Sequence, residues 1–558
     1  MDLSRVSISG RTLRTLGFIL PLLAAFLYQA CGANHSTTTV TVNPSPGPSP
    51  SSSGQTDVVT YHYDNARTGA NLSETVLTPA NVNATKFGKI GFYPVDGKVD
   101  GQPVYLSQVS LSGQGTRNVL YVVSEHATVY AFDADSGTTL WHASLLGSGE
   151  TPSDPRNCSQ IAPEIGITST PVIDRSHAPH GALYTVAMSK NATGNYFQRI
   201  HALDITTGAE LFGGPATVTA AYPGTGDNST GGSVIFDARQ YAERAGLLLF
   251  NGTVYTTWTS HCDQRPYTGW IIGYDANTLT QTKVLNVTPN GSEGSIWMSG
   301  TAPAADSNGN IYFLDANGTF DTTLDANGFP SQHDFGNSFL KLSTSAGLSV
   351  ADYFTMSGTV AESNADEDLG SGGALVLPDL TDKGGQTHQL AVGAGKDRVI
   401  YVVDRNAMGK FDPSADNIYQ EIPDAFTDAV FSMPAYFNNT VYYGAVGNTI
   451  RAFPISNAKL AATASSKTGN AFPYPGATPS ISANGIRSAI VWAVENSSPA
   501  VLHAYDATNL ANELYNSSQA SGSRDQFGVG NKFITPMIVN GKVYVGTASG
   551  VAVFGLLP

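Results

Sequence analysis

Reactive side chains are sparse in this 558-residue chain, because Asp, Glu, Lys and Arg together make up only 13% of it. Four groupings could do chemistry. Glu125-His126 and His261-Cys262-Asp263-Gln264-Arg265 set an imidazole beside a carboxylate, the pairing used for general acid–base work. His126 and His261 are therefore candidate bases, with Asp263 and Asp368 as carboxylate candidates; the alternative for either His is a hydrogen bond between neighbouring structural units. Glu125, Glu164 and Asp263, with Asp368, carry oxygens that Ca²⁺ could gather from several loops, although acids in loops are also ordinary solvated residues. Zn²⁺ through His126 and His261 has no closely spaced His/Cys cluster behind it. Cys158 and Cys262 form a disulfide if the chain folds in an oxidising compartment, and otherwise remain two buried thiols.

Other chemistry finds no foothold. There is no Gly-x-Ser-x-Gly elbow, no phosphate-binding Gly-x-x-x-x-Gly-Lys-Ser/Thr loop, no His-Glu-x-x-His helix and no Cys-x-x-Cys-His haem site. Gly370-Ser371-Gly372-Gly373 is expected to open a strand rather than a helix, so it lacks the helix terminus that cradles phosphate. Twenty-nine Lys plus Arg against 44 Asp plus Glu leave a net charge of −15, without a basic run, which argues against nucleic acid as a partner. Low charge, 58 Gly and 10% aromatics point to an all-β exported protein.

The N-terminus reads as export machinery. Arg5, Arg11 and Arg14 precede the apolar run Leu16 to Leu27, which is short and broken by Pro21, so residues 1–30 are expected to be a signal peptide. Cys31-Gly32 resembles a lipoprotein cleavage box, with Leu27 one position too far upstream. Lipidation of Cys31 and simple cleavage both stay open. Residues 31–56 are a Ser/Pro-rich tether, and 57–86 an N-terminal arm. The expected location is periplasmic, outer-membrane-anchored or extracellular.

What must position the reactive groups is a repeat. Leu120-Tyr121-Val122-Val123 with Val129-Tyr130-Ala131-Phe132-Asp133 recurs as Leu183-Tyr184-Thr185-Val186 with Ile200-His201-Ala202-Leu203-Asp204. It returns at Val254-Tyr255 with Tyr274-Asp275, at Ile311-Tyr312, at Ile400-Tyr401, at Val441-Tyr442, at Leu502 to Asp506 and at Val543-Tyr544, eight copies in all. Each copy is a set of short β-branched and aromatic strands split by Gly, Asn and Asp turns. We label them A (Thr-Pro type, as Ser169-Thr170-Pro171-Val172), B (Leu-Tyr), C (Ala-x-Asp) and D (Leu-Trp). Four antiparallel strands repeated eight times predict an eight-bladed β-propeller over residues 87–558, which leaves only short, protected edges. The last copy stops at Pro558 after three strands, and Phe87 to Val95 is an orphan strand expected to complete it and close the ring. The B–C and D–A connections, which hold nearly all the reactive residues, then share one face.

Ala131-x-Asp133-x-x-Ser136-Gly137-x-x-x-Trp141 resembles the blade motif of quinoprotein alcohol dehydrogenase-like propellers, which are associated with pyrroloquinoline quinone (PQQ). Asp204 and Gly208 repeat it with Phe212 in place of Trp, and Asp275 and Asp506 match in part. Tyr61-His62-x-x-Asn65-x-Arg67 is similar to the stretch before the first blade in such enzymes. The resemblance implies that the Trp docks between blades and that Asp and Gly build the C–D turn. It also implies a Ca²⁺-bound quinone held between a Trp and, in many members, a disulfide of adjacent cysteines. This chain has no adjacent Cys pair. Trp297 is the candidate stacking floor or else a core residue, and Lys396 and Arg524 are candidates to meet quinone carboxylates or else to pair with Asp397 and Asp525. The family also contains non-catalytic members. Two functions stay open: a monomeric binding or scaffold propeller that offers its loop face to a small molecule, carbohydrate or protein, and a PQQ-dependent dehydrogenase of alcohols or sugars.

Overall fold

The computed structural model describes residues 56–558. The expected leader, nearly all of the tether and Cys31 lie outside the described residues. Within them the runs rich in Val, Ile, Tyr and Thr form antiparallel strands, as their composition requires. Eight principal sheets, each built on four strands, follow one another along the chain. The first comprises Val104–Leu111, Gly115–Val123, Thr128–Asp133 and Thr139–Ser144. The second extends from Val172–Asp174 to Ala216–Thr217, the third from Leu248–Phe250 to Gln281–Asn286, and the fourth from Ala304–Ala305 to Ser349–Phe354. The fifth, sixth and seventh open with Leu375–Val376, Ala435–Phe437 and Ser480–Asn484. The eighth contains Met537–Val539, Lys542–Gly546, Gly550–Leu556 and, from the other end of the chain, Phe87–Pro94.

Phe87–Pro94 lies antiparallel to Gly550–Leu556, with Phe87 opposite Leu556 and Pro94 opposite Gly550. The strand's alternation decides its two faces: Phe87 and Tyr93 are buried, while Ile90 and Phe92 are exposed. Three additions were not legible as such in the sequence. They are a small three-stranded sheet at 221–235, a hairpin pairing Leu380–Thr381 with Thr387–His388, and a helix at Thr359–Ala365.

No sheet has a core of its own. Apolar side chains from consecutive sheets interleave instead, as where Leu183 and Leu203 of the second sheet meet Tyr121 and Ala131 of the first. The eighth sheet packs on the first through Met537, Tyr544 and Val553 against Leu120, Val122 and Phe132.

Hydrogen bonds stitch the same layers. Asp133, Asp204, Asp275 and Asp506 each cap the C–D turn by accepting backbone N–H groups two or three residues on, such as Asp135 N at 2.9 Å and Thr206 N at 2.8 Å. The carbonyl just past each Asp receives a Tyr hydroxyl from strand B of the preceding sheet. Tyr121 donates to Ile205 at 3.0 Å, Tyr184 to Ala276 at 2.5 Å, Tyr442 to Ala507 at 2.9 Å and Tyr544 to Ala134 at 3.3 Å. Trp141 Nε1 also donates to Ile205 O, at 3.1 Å, and its ring lies where a Cβ on Gly208 would sit, 2.6 Å away.

The arm at 57–71 is not a separate appendage. Its backbone and side chains bond in turn to the first strand of each of the eight principal sheets. The partners are Val58 to Tyr105, Val59 to Ile173, Asn65 to Leu249 and Ala305, Ala66 to Val376, Thr68 to Tyr436, Gly69 to Ile481, and Asn71 to Ile538. Fully buried Arg67 braces this segment, donating to Thr60 Oγ1 at 2.7 Å and to the carbonyls of Tyr61 at 2.9 Å and Pro303 at 2.8 Å.

Candidate functional site

A cavity of about 280 Å³ opens among the B–C loops and D–A connections. Its walls combine a disulfide, an indole, cations and acids. Cys158, in the connection between the first and second sheets, is bonded to Cys262, in the B–C loop of the third. Both cysteines line the cavity together with Trp297, Arg244, Lys396 and Asp366. Phe431 and Tyr474 complete an aromatic side, with Phe431 5.8 Å and Phe533 6.2 Å from the Trp297 ring centre. Trp297 is thus a cavity wall rather than a core residue.

The backbone around the cavity is unusual. Cys262 and Asp263 are both left-handed, at φ 56° and 50°, as are Met298 and Ser299 after Trp297, at 40° and 54°, and Asp366 at 60°. Non-glycine residues in this region cost of order 1–3 kcal/mol each and gather where a fold holds functional groups in place. Ser299 is pinned by donating its hydroxyl to Ser371 O at 2.6 Å.

Charges at the cavity divide into two assemblies. Lys396 extends between Asp366 and Asp368, 2.6 Å from Asp368 Oδ1. Burial opposes its charge, but the two carboxylates hold the ammonium above its usual pKa. Asp368 is fully buried behind Lys396, with its carboxyl pushed up by burial, and its Oδ2 accepts no hydrogen bond among the described residues.

On the other side, Lys98 pairs with Asp100 at 2.9 Å, and Asn531 donates to Asp100 Oδ1 at 2.7 Å. Buried Glu125 faces this pair. Desolvation and the Asp100 charge push its pKa well above the usual carboxylate range, while Gly166 N and Thr168 Oγ1 donate to its Oε2. Arg244 lies between the two assemblies, its guanidinium 5.5 Å from the Trp297 ring centre and 4.6 Å from that of Phe533.

His261 also lines the cavity. Its Nε2 donates to Pro155 O at 3.0 Å, which leaves Nδ1 as the acceptor of a neutral ring. Burial, aided by Arg156, keeps the ring neutral by lowering its pKa. Asp263 is held by its own loop, accepting from Ser260 Oγ at 2.9 Å.

Several sequence-level candidates stand elsewhere. Arg524 is no part of the cavity: it forks onto Asp525 and reaches the carbonyls of Ala84 and Phe87, because a carboxylate next in the chain satisfies the guanidinium locally. His126 points to Glu164, at 2.9 Å, and neither lines the cavity. The four candidate metal ligands are therefore dispersed, with Glu125 facing Asp100, Glu164 on His126, Asp263 on Ser260 and Asp368 on Lys396. No group of three or more His, Cys, Asp or Glu side chains converges among the described residues. Such a dispersed set does not fit Ca²⁺, which gathers six to eight oxygens around one point. Sequence reasoning missed Arg244, Lys98, Asp100 and Lys532. The signal for Arg244 was a charged pair, Glu243-Arg244, inside the otherwise apolar run Tyr241 to Leu248.

No family model matches the chain, and no curated protein sequence does either. Solved structures do. A quinohemoprotein alcohol dehydrogenase from Comamonas testosteroni superposes with a TM-score of 0.59 at 14% identity, over 90% of this chain and 80% of that one. A quinohemoprotein alcohol dehydrogenase from Pseudomonas putida HK5 gives 0.57 at 13%, with the same two coverages. A europium-containing methanol dehydrogenase gives 0.58 at 12%, over 90% of this chain and 98% of that one. The chain therefore has the β-propeller fold of the quinoprotein alcohol dehydrogenases.

Proposed function

We propose that this chain is an eight-bladed propeller closed by its N-terminal strand, and that its axial cavity holds a planar, anionic quinone of the PQQ type for oxidation of alcohols or sugars. Closure is supported by the layer between the eighth and first sheets and by the arm, since one short segment reaches all eight first strands only if they surround it. The observation that carries the ligand reading is the meeting of Trp297, the Cys158–Cys262 disulfide, Arg244 and Lys396 on one cavity. An indole and a disulfide give flat, polarisable walls to a ring system, and the cations match its carboxylates. A volume of about 280 Å³ lies near the small end of small-molecule sites. When bound, such a quinone supplies the two-electron acceptor. The chain's own part is to stack it on Trp297, to neutralise it through Arg244 and Lys396, and to accept the substrate proton at His261 Nδ1.

A second reading, ligand binding without turnover, is favoured by the carboxylates. Asp368 is covered by Lys396, and Asp263, although it lines the cavity, accepts from Ser260 at Oδ1, so neither is an unengaged base. Export to an oxidising compartment belongs to both readings and is supported by the disulfide.

The test is titration of the purified protein with PQQ, with and without Ca²⁺, followed by Trp fluorescence in wild type and Trp297→Phe. Saturable quenching that is lost in the variant supports the quinone, and dye-linked turnover of alcohols or sugars then separates the enzyme from the binding module. Absence of binding at tens of micromolar removes the quinone.

A further inference from the structure

Tyr121, Tyr184, Tyr442 and Tyr544 close the seam to the next sheet by donating to the carbonyl past its C–D Asp. Tyr255 is their counterpart in the third sheet, and it makes no such bond among the described residues. In the fourth sheet Ser343 stands where that Asp would be, and its hydroxyl meets Ser345 Oγ at 2.9 Å. Thr344, whose carbonyl would be the acceptor, is drawn instead onto the A–B turn of its own sheet, where its N and Oγ1 donate to Gly309 O at 3.1 and 2.9 Å. Tyr255 is only 2% exposed, yet its hydroxyl reaches no carbonyl or carboxylate there, only the hydroxyls of Thr253 and Thr344. The seam therefore stays open. A groove of about 330 Å³ lies between the A–B turns of the third and fourth sheets and the C–D turn of the fourth, at the end of the sheets away from the cavity. The Asn251-Gly252 turn has the two-residue length of a tight hairpin, with both residues at positive φ. A Cβ on Gly252 would meet nothing within 4 Å, so this edge of the groove is uncovered. Asn251, Asn308, Ser307 and Tyr255 line it with amides and hydroxyls, and Lys283 is the only charged residue on its walls. The side-chain amides of Asn251 and Asn308 make no hydrogen bond to another group among the described residues.

We propose that this groove binds a neutral saccharide. A sugar hydroxyl both donates and accepts, and so do the side-chain amides and hydroxyls gathered here. No acid on the walls offers a cation a partner, and one ammonium in a chain of net charge −15 is a poor match for a strongly anionic group. The Tyr255 hydroxyl, on a ring already fixed by burial, is the anchor of the site, since a group ordered in advance costs little to bind through. Asn308 and Lys283 supply further contacts from the fourth and third sheets. The groove shares no residue with the cavity, so the inference does not depend on the quinone reading.

Saturation-transfer NMR with glucose, galactose and N-acetylglucosamine, on wild type, Tyr255→Phe, Asn308→Ala and Trp297→Phe, tests the site. Asn308 is an exposed turn residue, so its variant retains the fold if the Tyr255 variant does not. The expected result is transfer to at least one of these sugars, with affinity weakened about fivefold or more in the two groove variants and unchanged in Trp297→Phe. Transfer that survives both groove variants overturns the inference, and if Trp297→Phe abolishes it the sugar belongs to the cavity. Displacement of the sugar by an equal concentration of sodium sulfate makes the groove an anion site built on Lys283 and also overturns it. So does the absence of transfer to all three sugars at tens of millimolar.

Discussion

Replacing Phe87 with Ala tests whether the two ends of the chain truly lock one body. Phe87 is fully buried, with ring centres 5.4 Å from Trp492, 5.0 Å from Tyr515 and 6.4 Å from Phe554. Trp492 and Tyr515 belong to the seventh sheet and Phe554 to the eighth, so one side chain from the N-terminal strand bridges two C-terminal sheets. Truncating a buried Phe costs about 3–5 kcal/mol in lost transfer energy and residual cavity, and the loss of three ring contacts places Phe87→Ala within that range, with Phe554 still meeting Phe527 at 5.5 Å. Phe92 lies on the opposite face of the same strand and is 38% exposed. Its truncation should stay within about 0.5 kcal/mol. Urea unfolding reports the global effect. Because repeat folds can open one unit at a time, hydrogen exchange of the amides at 551–556 reports the local one. Phe87→Ala should speed exchange there more than in the third or fourth sheet. Equal effects of the two substitutions, or a cost below about 1 kcal/mol for Phe87→Ala, would refute closure by this strand.

Three further outcomes are expected. Replacing Cys158 and Cys262 together with Ser opens a loop of sequence separation 104 and should cost up to about 4.7 kcal/mol; an unchanged denaturation midpoint would show that the bond adds nothing to stability. Arg405→Met removes the cation from buried Asp306, whose Oδ2 accepts from Arg405 at 2.9 Å, while Tyr312, Asn308 and Asn310 still donate to the carboxylate, so a loss of about 1.5–3 kcal/mol is expected by thermal or urea unfolding, and under about 1 kcal/mol would mean the pair is not desolvated. His503 bonds Glu513 at 2.7 Å and Glu495 at 3.3 Å, and these carboxylates outweigh burial to raise its pKa above 6.5. Its share of stability is complete below pH 6.5 and lost as the pH rises through the raised value, while the depressed Glu495 and Glu513 lose theirs in acid; His503→Gln should flatten the alkaline slope of stability against pH, and an unaltered slope would remove His503 as its source.

The sequence alone determined whatever is local and periodic. Alternation of Val, Tyr and Leu with Gly, Asn and Asp turns requires short antiparallel strands, and the Asp133 turn could be read because its hydrogen bonds span two or three residues, whereas the docking of Trp141 on Ile205 and Gly208 of the next sheet came only from the family resemblance. Even the pairing of Phe87–Pro94 with the last strand followed from counting, since the final copy was one strand short. The hydroxyls of Tyr121, Tyr184, Tyr442 and Tyr544 were visible only as repeated aromatics, for their acceptors belong to the next sheet. The site is of this second kind. Trp297, Lys396, Cys158 and Cys262 were legible as uncommon residues in loops of one face, yet Arg524 and Glu164 looked equally eligible. A flanking carboxylate disposed of Arg524, and His126 engaged Glu164. Arg244, Lys98 and Lys532 come from three separate sheets and their connections, and nothing along the chain relates them. Their convergence exists only once the sheets face a common centre, because electrostatic fields act through space between groups that the backbone keeps hundreds of residues apart.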